Sequence, residues 1–437
     1  MDLQHRRSAR RYTVLDQPGG NAHARAMSTP TYAIVGANLA GGRAALTLRD
    51  EGFDGRIVLI GAEPHPPYER PPLSKDLLKG HREAESTYLH TEDYYAAVDI
   101  ELRLGTRVER IAPRWSGLEL SDGTTVTADH VLLTTGARVR RLDVLGADLD
   151  GVHYLRTLDD ALAIREQLSA ATNLTVVGAG FIGAEVAASA WEVCSSVTLL
   201  EAGDLPLGRA VSAEVGRFYA DIHRDRGVDL RIGTGVAEIQ GEHGRVRRVV
   251  TTTGDVIETD LVLIGVGTTA ATELADEAGI ATDNGILVDE FCRTSIPNVS
   301  AAGDVARHPN RYAGGHVRLE HWQTAQNQAM AAARAMLGRG EPYHEVPWFW
   351  SDQYDLNLQY AGHPAATDRT VRRGDPDDLS FSILSLRDNK ITGVLAVNRP
   401  RDVRAAMKLI ESGTPVDPDV LADAATDLRK LSTIGGR

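Results

Sequence analysis

Two glycine-rich turns, each set between a strand-like apolar run and an alanine-rich helical run, constrain this chain more than any other feature. The first, Gly36-Ala37-Asn38-Leu39-Ala40-Gly41, follows the apolar residues 32–35 and opens a predicted helix over 39–48. The second, Gly178-Ala179-Gly180-Phe181-Ile182-Gly183, follows residues 174–177 and opens a helix over 182–190. In each case a further strand, 56–60 or 197–200, leads to an acid, Glu63 or Glu201. That order is the grammar of a βαβ unit on a parallel sheet. A helix N-terminus binds pyrophosphate through its free backbone amides, and glycine lets the backbone come close enough to do so. The expected fold class is therefore α/β, with two Rossmann-like nucleotide-binding domains in one chain.

The two turns differ in quality. Gly178, Gly180 and Gly183 meet the full dinucleotide fingerprint, and Glu201 stands where a carboxylate accepts both hydroxyls of an adenosine ribose. The residues after it, Ala202-Gly203-Asp204, offer no cation for a 2′-phosphate, which points to NADH. The first turn has Asn38 at the middle glycine position. Asparagine tolerates unusual backbone angles, but its side chain crowds a pyrophosphate or must itself donate a hydrogen bond. Glu63 is the ribose candidate here, although it comes late against the usual spacing of roughly 20 residues.

At 437 residues the chain calls for two or three domains. Short strands and turns are expected over 261–267, 286–288 and 300–304. From about 347 the texture changes to Trp348, Phe349 and Trp350, an alternating run 381–386, a turn 388–390 and a strand 391–397. With helices over 401–410 and 416–431 this reads as an α+β domain. A net charge of −13 opposes nucleic acid or an anionic membrane as the main partner. No apolar run approaches the roughly 18 residues needed to span a bilayer. The two cysteines, Cys194 and Cys292, have no disulfide, zinc or iron–sulfur ligand spacing, so no metal is expected and a reducing, cytoplasmic setting fits. Residues 1–28 carry five Arg and two Asp without an apolar core; they read as a disordered tail rather than a secretory signal, with Met27 a second candidate start.

At Arg70-Pro71-Pro72-Leu73-Ser74-Lys75 general grammar stops explaining the sequence. This segment resembles the FAD-dependent NADH:ferredoxin reductases that serve bacterial monooxygenases and ring-hydroxylating dioxygenases, the putidaredoxin reductase and dioxygenase ferredoxin reductase family. The resemblance runs from residue 31 to about 412. It includes Thr134-Thr135-Gly136-Ala137-Arg138, with Thr134 where the family has Ala, and Ile264-Gly265-Val266-Gly267. Further matches are Ala302-Gly303-Asp304-Val305, Glu320-His321-Trp322 and Pro347-Trp348-Phe349-Trp350-Ser351-Asp352-Gln353.

The resemblance implies an FAD-binding domain over 29–139 and 269–345, an NADH-binding domain over 140–268, and a C-terminal α+β domain over 346–437. On the FAD side it implies the first turn (Gly36, Asn38, Leu39, Ala40, Gly41), Glu63, Arg70 and Lys75. Thr135, Gly136, Arg138, Gly303, Asp304, His321 and Trp322 complete that set. Asp304 would hold the ribityl chain by accepting hydroxyl protons. On the NADH side it implies Gly178, Gly180, Phe181, Ile182, Gly183, Glu185, Glu201, Arg209, Gly265, Val266 and Gly267. Lys75 and Glu185 would form a catalytic ion pair beside flavin N5, the cation steadying developing negative charge. Trp322 would begin a long helix over 322–336 whose positive end favours the reduced flavin. His321 has no spaced partner for a metal.

Neither cysteine lies near Lys75 or the first turn, so a redox disulfide or a single reactive thiol has no place there. Electrons would leave the flavin for an external carrier, singly to an iron–sulfur ferredoxin supplying a cytochrome P450 or Rieske oxygenase. An acidic ferredoxin requires a local basic patch, for which Arg307, Arg311 and Arg318, and Arg401, Arg404 and Lys408, are the candidates. The expected state is a monomer or weak dimer. Two other readings stay open at this point: an NADH dehydrogenase using quinone, rubredoxin or oxygen, and a non-catalytic, NADH-sensing flavoprotein.

Overall fold

The computed structural model describes residues 29–112, 117–169 and 172–433; the expected N-terminal tail, 1–28, and Met27 lie outside them. Two five-stranded parallel sheets organise the first three-quarters of the chain. In one, the order is Val299–Ala301, His130–Leu133, Thr31–Val35, Arg56–Ile60 and Ile100–Arg103. In the other it is Asp229–Ile232, Ser196–Glu201, Asn173–Val177, Leu261–Ile264 and Val152–Tyr154. Ala33, Ile34, Ile57, Val58 and Leu59 are fully enclosed. Runs buried on both faces are what parallel strands require, which is why these segments are uninterrupted rather than alternating in polarity.

Each glycine-rich turn leaves the central strand of its sheet and enters a helix, Leu39–Asp50 or Phe181–Ala190. The first helix lies against Trp322–Met336, with Ala40, Ala44 and Ala45 in one cluster with Ala329, Ala332 and Ala333. Small side chains let the two helices approach closely, so both N-termini stand over the same end of the sheet.

Each unit also carries a three-stranded antiparallel meander. One is Val108–Ile111, Leu118–Leu120 and Thr125–Val126; the other is Val236–Glu242, Arg245–Thr251 and Val256–Glu258. Neither is legible in the sequence, because their strands are partly exposed and mix polar with apolar residues. Where the chain passes between units, Ala137–Val139 pairs antiparallel with Thr268–Ala270, Val139 opposite Thr268.

The C-terminal region is a five-stranded antiparallel sheet in the order Trp348–Gln353, Leu356–Gly362, Lys390–Val397, Ser380–Arg387 and Arg369–Asp375. The expected hairpin is its Ser380–Arg387 and Lys390–Val397 pair. Asp388 and Asn389 both take positive φ, 51° and 59°, as a two-residue turn matched to strand twist demands. Helix Pro400–Ser412 covers one face.

The helix expected over 416–431 does not form. It is replaced by Pro418–Ala422 and a short 3₁₀ segment Leu428–Thr433. Buried Arg373 donates to the carbonyls of Leu421, Asp423 and Thr426, groups that a continuous helix would use internally. Asp423 accepts from Ala425 N and the Thr426 hydroxyl, which stabilises the break.

Candidate functional site

The second turn has the form its glycines predict. A Cβ on Gly178 or Gly183 would strike a backbone carbonyl at 2.5 or 1.9 Å, whereas one on Gly180 would meet nothing within 4 Å. The outer glycines are thus needed for packing, and the middle one faces open space that a pyrophosphate fits. Gly180 caps the helix without any side-chain bond, so its first amides are left for a ligand. Glu201 ends the neighbouring strand, with Oε2 accepting from Ala179 N at 2.8 Å and Oε1 from Gly203 N at 2.7 Å. Gly265 backs this turn, its carbonyl 2.5 Å from a Cβ on Gly178. Val266 follows, and Gly267 has φ +104° over open space.

The first turn differs in a way sequence did not foresee. Asn38 has φ −114°, an ordinary extended value, so no special backbone angle is at issue. Its side chain folds back: Nδ2 donates to Thr134 O at 2.5 Å, and Oδ1 accepts from Gly41 N at 3.2 Å. Asn38 therefore caps its own helix and leaves Leu39 and Ala40 at the edge of a cavity. Thr134 in turn donates to Val35 O and Gly36 O. Gly36 has φ +118°, and a Cβ there would sit 2.3 Å from Thr134 O, so only glycine fits.

That cavity, of about 690 Å³, lies where the two parallel-sheet units and the C-terminal sheet meet. Its walls bring together Asn38, Leu39, Ala40, Arg70, Lys75 and Gly136 from the first unit and Phe181, Ile182, Glu185 and Arg209 from the second. Asp304, His321 and Trp322, with Phe349 and Trp350 from the C-terminal sheet, complete them. Lys75 Nζ lies 2.8 Å from Glu185 Oε2, with the side chains 14% and 4% exposed. Ser74 donates to the same oxygen at 2.5 Å and Ser351 to Oε1 at 2.7 Å. Lys75, Ser74 and Ser351 converge on Glu185, a set that suits an ionised carboxylate, which only accepts.

On the opposite wall, Asp304 sits in a turn entered through Gly303, which has φ +80° and whose amide is held by Gln328 Oε1 at 2.9 Å. Arg156 reaches Asp304 Oδ2 at 3.1 Å. Helix Trp322–Met336 starts at the cavity, and its cap residue His321 makes no side-chain capping bond. His321 Nδ1 is buried with no hydrogen-bond partner among the described residues. Burial pushes this imidazole down to about 4, against the pull of Glu320, so it is neutral near pH 7. Burial alone would raise Glu320, but Thr268 and Arg318 outweigh it and hold its carboxyl below the ordinary value. The ring of His321 lies 4.8 Å from Phe349, which is 4.9 Å from Phe181.

A second, smaller cavity opens beside the first turn, lined by Gly36, Ala62, Thr135 and Arg138 among others. Arg138 pairs with Glu273 at 2.8 Å on its rim, and Thr135 donates to Ala271 O. Glu63 lines neither cavity. Its Oε1 accepts from Arg70 at 2.9 Å and its Oε2 from Tyr68 at 2.6 Å, so it holds Arg70 in the cavity wall.

Residues 30–329 match the family described as pyridine nucleotide-disulphide oxidoreductase, and residues 348–432 match the reductase C-terminal family. Rhodocoxin reductase of Rhodococcus erythropolis is 43% identical over 91% of this chain and 93% of its own length. The ferredoxin–NAD(+) reductase component of the anthranilate 1,2-dioxygenase system of Burkholderia cepacia is 42% identical over 92% and 99%. The chain belongs to the FAD-dependent ferredoxin reductases. The reductase in a crystal structure of the covalent putidaredoxin reductase–putidaredoxin complex superposes with a TM-score of 0.90, at 37% identity over 93% of this chain and 99% of that one.

As a ferredoxin reductase it departs from disulfide chemistry. Cys194 and Cys292 do not line the cavity; burial pushes the first thiol up to about 11 and raises the second further. Among the described residues no cluster of His, Cys, Asp or Glu is arranged for a metal, and no helix is long and apolar enough to cross a membrane.

Of the six basic docking candidates, Arg318 turns inward. Its side chain is 12% exposed and donates to Glu320 at 2.6 Å and to the Asp304 carbonyl, so it is part of the cavity wall. Arg307 is tied to Asp283, and Arg311 lies over Tyr312. Arg401, Arg404 and Lys408 remain exposed along one face of helix Pro400–Ser412. Sequence reasoning missed Ser74, Ser351, Arg156, Thr268 and Gln328. The two serines stood inside motifs it had singled out, but nothing in their spacing ties them to Glu185.

Proposed function

We propose that this ferredoxin reductase oxidises NADH and delivers electrons singly to a [2Fe–2S] ferredoxin serving a cytochrome P450 or Rieske oxygenase. When bound, FAD supplies the acceptor for the hydride of NADH and a store that releases its two electrons one at a time. The observation that carries the reading is the Lys75–Glu185 pair, one partner from each nucleotide unit, on the wall both units share.

The chain's own residues divide the work. The first turn, Arg70, Thr135, Gly136, Arg138, Gly303, Asp304, His321 and Trp322 hold FAD, in a unit spanning 29–139 and 269–345. The second turn, Glu201, Arg209 and residues 265–267 hold NADH in the unit 140–268, and the carboxylate of Glu201 disfavours a 2′-phosphate. Lys75 presents a cation to the reacting rings and Glu185 orients it. The N-terminus of Trp322–Met336 favours negative charge close to it. Phe181, Phe349 and Trp350 exclude water from the cleft. Arg401, Arg404 and Lys408, on the C-terminal domain that begins at 346, form the patch for an acidic partner.

Stopped-flow reoxidation of the NADH-reduced protein tests this. A [2Fe–2S] ferredoxin is expected to reoxidise it faster than a quinone or air-saturated buffer, and the reverse order would overturn the proposal.

A further inference from the structure

Glu185 is one end of a line of buried polar groups that runs from the cavity through the C-terminal sheet to helix Ala213–Asp225. Ser351 Oγ lies 2.7 Å from Glu185 Oε1, and Gln353 Nε2 lies 3.3 Å from Ser351 Oγ. Beyond Gln353 stands His223, whose Nδ1 is 2.7 Å from the Tyr354 hydroxyl. Ser351, Gln353 and His223 are completely buried. Among the described residues, Gln353 Oε1 and His223 Nε2 are each without a hydrogen-bond partner. Buried polar groups are rarely left so, and these two are complementary if the imidazole proton is on Nε2.

The proton positions follow from the cavity end. Glu185, paired with Lys75, has no proton to give. Ser351 must therefore donate its single hydroxyl proton to Oε1, which leaves its oxygen to accept. Only the NH₂ side of the Gln353 amide fills that place, and this turns Oε1 toward His223. An oxygen there requires a proton on Nε2. Nδ1 is then bare and accepts from Tyr354. Burial pushes His223 down to about 4, with Gln353 pulling the other way, so a neutral ring with one proton is what the site holds near pH 7.

We infer that Ser351, Gln353 and His223 are positioning residues, a one-way hydrogen-bond chain from Tyr354 that ends on Glu185 and keeps its Oε2 turned toward Ser74 and Lys75. The chain joins the cavity to all three parts of the molecule: Lys75 from the first unit, Glu185 and His223 from the second, and Ser351, Gln353 and Tyr354 from the C-terminal sheet. Its outer end is anchored by Arg226, which lies over the Tyr354 ring and pairs with Asp355. None of the three residues touches the cavity, so they act on the reaction through Glu185 alone.

This inference rests on the reductase reading of the Lys75–Glu185 pair, but its first test is made at rest and is independent of the electron acceptor. In ¹⁵N-histidine-labelled holoprotein, NMR is expected to show His223, its resonance identified by its loss in His223→Gln, with the proton on Nε2 and a bare Nδ1. A proton on Nδ1 overturns the chain whether or not ferredoxin is the acceptor. In rapid mixing with NADH, Ser351→Ala and His223→Ala are expected to slow flavin reduction about three- to tenfold, the effect of one lost hydrogen bond. Flavin content and the KM for NADH should be unchanged. His223→Gln, which keeps an N–H donor at the Nε2 position, should restore most of the rate. Equal slowing by Ala and Gln, or an effect confined to KM, overturns the assignment. Should the Ala variants not fold, the tautomer and the Gln variant decide it.

Discussion

Glu201 is oriented before any ligand arrives, because Ala179 N and Gly203 N hold its two oxygens at the edge of the second turn. Glu201→Ala is expected to weaken NADH binding by about 1.5 to 3 kcal/mol, the scale of hydrogen bonds to a charged group, or roughly 10- to 150-fold. An unchanged KM for NADH would refute the ribose role. Lys75 differs in kind, since its ammonium stands in the cavity wall paired with Glu185. Lys75→Ala should slow flavin reduction in rapid mixing while the protein keeps its FAD; a normal hydride-transfer rate would count against it. Asn38 and Glu63 are each held by the protein as well. Asn38 bonds to Thr134 and Gly41, and Glu63 to Tyr68 and Arg70, contacts that residue identity does not reveal.

At the scale of single elements, helix Pro400–Ser412 has two faces with different tasks. Val403, Ala406, Leu409 and Ile410 are buried against the C-terminal sheet, while Arg401, Arg404 and Lys408 project outward with no ion pair among the described residues. Surface cations so placed act mainly on association rate and are screened by salt. Neutralising all three together should slow electron transfer to ferredoxin but not to ferricyanide, and equal slowing of both would dismiss the patch. The segment after this helix makes the opposite point. Its apolar spacing reads as one long helix, but the buried guanidinium of Arg373 takes three of its carbonyls and breaks it in two. Intrinsic helical preference is worth only tenths of a kcal/mol per residue, so a buried cation collecting hydrogen bonds outweighs it.

Over the whole molecule, His223, His308 and His321 lie in three separate places, and each is pushed down to about 4, chiefly by burial. The unfolded chain binds these protons near pH 6.5, whereas the folded one resists them until about pH 4. Stability should therefore fall as pH drops through that window. The urea midpoint is expected to be lower at pH 5 than at pH 7, with His308→Gln flattening the slope; a midpoint independent of pH would contradict the buried, neutral state of these rings. The sequence by itself determined the α/β class and the two nucleotide turns, while the helix start at Trp322 and the pairing of Lys75 with Glu185 came from the resemblance to the family. The class and the turns rest on local requirements: glycine where a carbonyl or a phosphate comes close, apolar runs where a parallel strand is buried on both faces. Only the tertiary structure decided that Arg318 belongs to the cavity wall, that Glu63 serves Arg70, and that Ser351 and His223 stand behind Glu185. Ser351 and Glu185 are 166 residues apart in the chain. A hydrogen bond between such positions is fixed by how three sheets pack, and no spacing along the backbone records it.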